Sequence, residues 1–90
     1  GGGNVWVRDI NNQKIKIYPN PANNLLTIEL ADEIEGITLY DVHGKKADAT
    51  AIQSTKSAQI SVTNLADGIY LVRIKLAKQG YITTRVFVQH

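Results

Sequence analysis

Ninety residues with 43% hydrophobic and 20% charged side chains make one domain of ordinary globular composition, which excludes a disordered tract, and no apolar run approaches the ~20 residues of a membrane-spanning helix. The absence of cysteine removes disulfides, thiolate metal sites and a cysteine nucleophile, and the absence of methionine leads us to expect a piece of a longer protein that would hold any signal peptide itself. Net charge is +2, but residues 1–44 carry −3 and residues 45–90 carry +5; with no Lys/Arg run longer than Lys45-Lys46, this reads as a solvated sheet face, with no nucleic acid expected as partner.

Residues 1–13 are rich in Gly, Asn and Gln around Val5-Trp6-Val7 and read as a linker, with the folded domain over 14–90. The punctuation Tyr18-Pro19-Asn20-Pro21 follows. Proline lacks an N–H, fixes φ and pushes the preceding residue out of the helical region, so the segment is a corner between strands, with Asn20-Pro21-Ala22-Asn23 suited to a type I turn. Alternating apolar residues predict strands at 14–18, 24–30, 36–41, 45–51, 57–63, 69–77 and 81–88, separated by Pro-Asn, Asp-Glu, His-Gly, Asp-Gly and Gln-Gly turns. No window has a helical stripe. The fold class is all-β, a sandwich of about seven antiparallel strands, with Leu26, Ile28, Leu30, Leu39, Ile60, Val62, Tyr70, Val72, Ile74 and Val86 expected in its core.

Residues opposite one another in an antiparallel hairpin share a face, so loop length sets which side chains meet. A three-residue loop, Lys78-Gln79-Gly80, would pair Leu76 with Ile82, Ile74 with Thr84, Val72 with Val86 and Tyr70 with Val88, collecting apolar side chains on one side. A two-residue loop would scatter charge into the core. Upstream, Leu65-Ala66-Asp67-Gly68-Ile69-Tyr70 resembles the entry to the F strand of immunoglobulin-type domains, where a tyrosine hydroxyl bonds back to the backbone; Tyr70 is equally compatible with a plain core aromatic.

Catalytic chemistry has little to work with. His43 sits in a turn and His90 at the chain end, so neither is placed as a general base, and we expect no enzyme and no cofactor. Asp32, Glu33 and Glu35 match no calcium-loop spacing and read as solvated turn charges. Glycines 36, 44, 68 and 80 each stand singly, so no phosphate cradle forms. Tyr81 and Phe87 beside Arg73, Lys75 and Arg85 fall on the outward side of the last hairpin and could face a partner; the plainer reading is an edge kept soluble by charge.

Three motifs occur in order: "IYPNPANNLLTIEL", "ITLYDVHGKK", and "LADGIYLVRI" followed by "TTRVFVQ". Together, over about residues 14 to 89, they resemble the type A C-terminal sorting domain of the type IX secretion system of Bacteroidetes. The resemblance implies an immunoglobulin-like sandwich that acts as an address, directing an exported cargo through the periplasm to the outer-membrane translocon and its shuttle proteins. It further implies that a cysteine-protease-like sortase removes the domain by a cut among residues 1–13 and joins the cargo, a secreted or cell-surface protein, to a surface anchor. By position, Pro19, Asn20 and Pro21 match the first motif, Leu39, Tyr40, Asp41, Gly44 and Lys45 the second, and Gly68, Tyr70, Val72, Arg85, Val86 and Val88 the last; the outward Arg73, Lys75, Tyr81, Arg85 and Phe87, with Val86 and Val88 of the motif, are the residues expected to serve translocon recognition. No small-molecule substrate is implied. The alternative from another class is an accessory carbohydrate-binding or adhesive sandwich, which would call for a concave face with several exposed aromatics.

Overall fold

A computed structural model describes residues 5–10, 13–78 and 80–90. Eight strands follow one another: β1 (Trp6–Ile10), β2 (Gln13–Tyr18), β3 (Leu25–Leu30), β4 (Ile34–Asp41), β5 (Thr50–Gln53), β6 (Ser57–Ser61), β7 (Gly68–Leu76) and β8 (Gly80–Val88). They form a five-stranded sheet in the order β1-β2-β3-β6-β5 and a three-stranded sheet in the order β4-β7-β8, every strand pair antiparallel. The two sheets face each other over one apolar core, an immunoglobulin-like β-sandwich.

The core follows from side-chain alternation. Along β7 every second residue, Tyr70, Val72, Ile74 and Leu76, is buried, and β8 answers with Ile82, Thr84, Val86 and Val88. Across the gap stand Ile15, Ile17, Leu26, Ile28, Ala58 and Ile60. All ten residues expected in the core are buried.

Three expectations are corrected. Residues 6–10, read as linker, form the edge strand β1, because Asn11 and Asn12 separate two alternating segments that pair from Ile10↔Gln13 to Trp6↔Ile17. The fourth expected strand, 45–51, is divided: Asp41 and Ala47 each donate an N–H to join Lys45 and Leu39 along the edge of β4, and the chain then crosses to the other sheet, where only Thr50–Gln53 is strand. In the last hairpin three residues do separate the strands, but they are 77–79, so Ile74 faces Ile82, Val72 faces Thr84 and Tyr70 faces Val86. The expected pairing is thus off by two residues. A slip of two keeps every side chain on its own face, which is why the core was assigned correctly from a wrong register. Gly80, at φ +84°, supplies the left-handed residue that closes this turn.

Among the described residues two buried side chains hold a polar atom without a partner, Asn20 through its Nδ2 at the proline corner and Thr84 inside the hairpin. The Thr84 hydroxyl is buried opposite Val72. Replacing Thr84 by Val removes an orphaned hydroxyl at nearly constant volume and is expected to stabilise the domain by about 1 kcal/mol, whereas Val72→Ala or Ile74→Ala opens a cavity and is expected to cost ~2–5 kcal/mol. Urea unfolding of the three variants checks both signs.

Candidate recognition surface

The residues singled out by the sequence fall into two places, a corner at one end of the sandwich and the outer face of the three-stranded sheet. At the corner, Tyr18-Pro19 and Asn20-Pro21 are cis, and Asn20, expected to open a type I turn, is instead buried. Its Oδ1 accepts the N–H of Phe87 at 3.0 Å. Ala22 then donates its N–H to Phe87 O (2.8 Å) and accepts from Gln89 N–H (2.9 Å), a parallel bridge to Val88. The first motif therefore closes the end of the last strand. That job explains its shape better than a bend between β2 and β3 does. The other side of the chain end is tied too: His90 N–H donates to Asp67 Oδ1 (2.9 Å), and the His90 ring nitrogen Nε2 lies 2.7 Å from Leu65 O.

The middle motif builds a turn. Asp41 Oδ1 accepts the N–H groups of Lys45 (3.0 Å) and His43 (2.8 Å), and Gly44 takes φ +82°. These donors, that of Lys45 foremost, hold the Asp41 carboxyl below its ordinary pKa. Leu39 points into the core while Tyr40 lies half-buried on the outer face. At the third motif the Tyr70 hydroxyl donates to Ala66 O at 2.7 Å, four residues upstream, which decides between the two readings in favour of the immunoglobulin-type corner.

The outer face of the three-stranded sheet is read in rows across β4, β7 and β8. Tyr81 and Lys75 lie beside Gly36, Thr83 and Arg73 beside Thr38, Arg85 and Leu71 beside Tyr40, and Phe87 stands opposite Ile69. Arg73 stacks over the Tyr81 ring, 3.9 Å from its centre, and Lys75 Nζ is 2.8 Å from Glu35 Oε1, which raises the lysine pKa by hydrogen bond and charge. Arg73, Lys75, Tyr81 and Arg85 are exposed and Phe87 is half-buried. Val86 and Val88, grouped with them by motif position, are 0% and 2% exposed. They point inward with the even-numbered set, so no partner touches those side chains while the domain is folded. Sequence reasoning missed Ile69 and Leu71 on this face; both follow from the parity of the register.

A family model described as "Secretion system C-terminal sorting domain" matches residues 16–89, most of the chain and both ends of the corner-to-strand tie. The chain belongs to that family. Comparison with curated proteins and with solved structures finds no match. As a sorting domain it carries the signal for type IX secretion, acts on the type IX machinery and marks a secreted or cell-surface cargo. The opposite, five-stranded face of the sorting domain bears a shallow groove of about 560 Å³ lined by Tyr18, Thr27, Glu29, Ile52 and Gln59 among others. Its one aromatic, Tyr18, donates its hydroxyl to Glu29.

The corner and the turn are each testable. Asn20→Ala leaves the Phe87 N–H without its acceptor and is expected to cost ~1–3 kcal/mol by thermal or urea unfolding. Because the Asp41 pKa is lowered in the fold, its contribution to stability is complete above the unfolded value near 3.8 and is lost as pH falls through the lower folded value. Asp41→Asn keeps an acceptor but cannot titrate, so its melting temperature should fall less steeply than that of the wild type on acidification below about pH 4.

Proposed function

We propose that the type IX translocon and its shuttle proteins read this sorting domain through the outer face of β7 and β8, with Arg73, Lys75, Tyr81, Arg85 and Phe87 as the side chains touched. The carrying observation is the sign of that surface: residues 68–90 hold Arg73, Lys75, Lys78 and Arg85 and no acidic side chain, while the inward half of the same strands is used up by the core. Binding of a complementary acidic surface gives orientation and speed of encounter. In this reading the domain is of type A, belongs to a Bacteroidetes protein that crosses the periplasm, and performs no catalysis itself.

A cysteine-protease-like sortase then cuts among residues 1–13 and exchanges the domain for a surface anchor. Because β1 adds a strand to β2, a cut ahead of Trp6 leaves the sandwich whole, whereas a cut after Ile10 uncovers the edge of β2. Mass spectrometry of the released domain from the native host is expected to place its first residue at or before Trp6.

Replacing Arg73, Lys75 and Arg85 by Glu in a reporter cargo should abolish secretion while the domain still melts cooperatively. Normal secretion of that folded variant rejects the basic face. Normal secretion after deletion of residues 81–90 rejects the domain as the signal altogether.

A further inference from the structure

We infer that the translocon partner docks by adding a β-strand to β8 at Tyr81, Thr83 and Arg85 alone, and that the added segment carries an acidic side chain beside Arg85. This rests on the reading of the outer face given above and deepens it.

The direction of the main chain fixes the site. Phe87 bonds through its N–H to Asn20 and through its C=O to Ala22, so both groups point away from β7. The β7–β8 register runs from Gly68↔Val88 to Leu76↔Gly80 without a slip, and in an antiparallel pair every second residue turns the same way. Tyr81, Thr83 and Arg85 therefore aim their N–H and C=O groups out of the sheet. Among the described residues none of these groups has a hydrogen-bond partner. The other edge of the same sheet is covered: residues 45–47 lie along β4, and the Gln53 side chain donates to Ile34 O and Glu35 O. Of the devices that blunt an open edge, residues 81–85 carry one outward charge, Arg85, and no proline, bulge or inward charge.

Its length is set from both sides. The proline corner occupies the edge from Phe87 onward and the Gly80 turn ends it at the other side, leaving about 17 Å, room for roughly five residues of an extended segment. Its charge is set by what is already paired. Lys75 is held by Glu35 and Arg73 lies on Tyr81, so Arg85 is the outer-face cation of these strands with no partner among the described residues. A second copy of this chain would answer badly, because residues 68–90 contain no carboxylate to offer Arg85. An acidic extended segment of a partner protein fits the edge by main-chain bonds and the guanidinium by side chain.

Thr83→Pro tests the edge. It removes an N–H that points out of the sheet and takes no bond from β7, so the sandwich should still melt cooperatively. In the reporter cargo, export of Thr83→Pro should fall about tenfold against Thr83→Ala, the effect of one unsatisfied acceptor on the partner, and Arg85→Gln should fall where Arg85→Lys does not. If Thr83→Pro fails to fold, Tyr81→Pro against Tyr81→Ala is the same comparison. Normal export of the folded proline variant overturns the added strand and leaves the basic face standing. Loss of export in Thr83→Pro with normal export of the triple Glu variant overturns the acidic partner and the basic face together and keeps the edge. A dimer in sedimentation that Thr83→Pro dissolves makes a second copy the occupant and overturns the proposal.

Discussion

The unbroken pairing of β7 with β8 is the constraint on which the rest of the domain depends. Nine consecutive residue pairs without a bulge mean that one decision, which side of β7 faces the core, settles the position of every side chain in both strands. The inward set supplies seven of the nineteen buried apolar side chains among the described residues. What a partner can touch is the remainder. A basic outer face and a dry core are thus two readings of one alternating sequence, and a substitution that slipped the hairpin by a single residue would exchange them.

The corner at residues 18–22 serves that hairpin. A three-stranded sheet has two edges, and in this sheet one is covered along β4 and the other is covered only where the corner reaches it. Asn20 does this with a side chain in place of a neighbouring strand: its carboxamide is buried and supplies the acceptor that Phe87 needs. The prolines flank it where their missing N–H groups cost nothing to the sheet. The motif spacing in the sequence, with one element near each end of the domain, is the trace of this contact.

Much of the architecture was legible because it is periodic or local. Alternation found six of the eight strands, the first two residues of β5, and all ten of the core residues predicted, and the Leu65–Tyr70 stretch pointed to the corner that the Tyr70 hydroxyl makes with Ala66 O. The losses have a common cause. β1 was hidden because its composition resembles a linker, and its place in the sheet shows only in its pairing with β2. The strand expected at 45–51 failed because residues 45–47 and 50–53 alternate continuously in sequence yet belong to different sheets. The partnership of Asn20 with Phe87 joins residues 67 apart and leaves no periodic mark. For the outer face, composition named the charged and aromatic members, and only the register could show which of their main-chain groups are left over.

The same separation of 67 residues has a consequence for when the domain comes into being. A chain that emerges from a ribosome or is threaded through a pore N-terminus first delivers its proline corner early and the strand that corner grips almost last. Until Phe87 arrives, Asn20 has no donor to receive and the three-stranded sheet lacks β8, so the intermediate cannot close. Contacts of such long range also make for slow folding in a chain of this size. The domain is therefore withheld as a shape until both partners of this contact are free, and whatever recognises the finished sandwich recognises, in the same act, that residues 20 to 87 have all emerged.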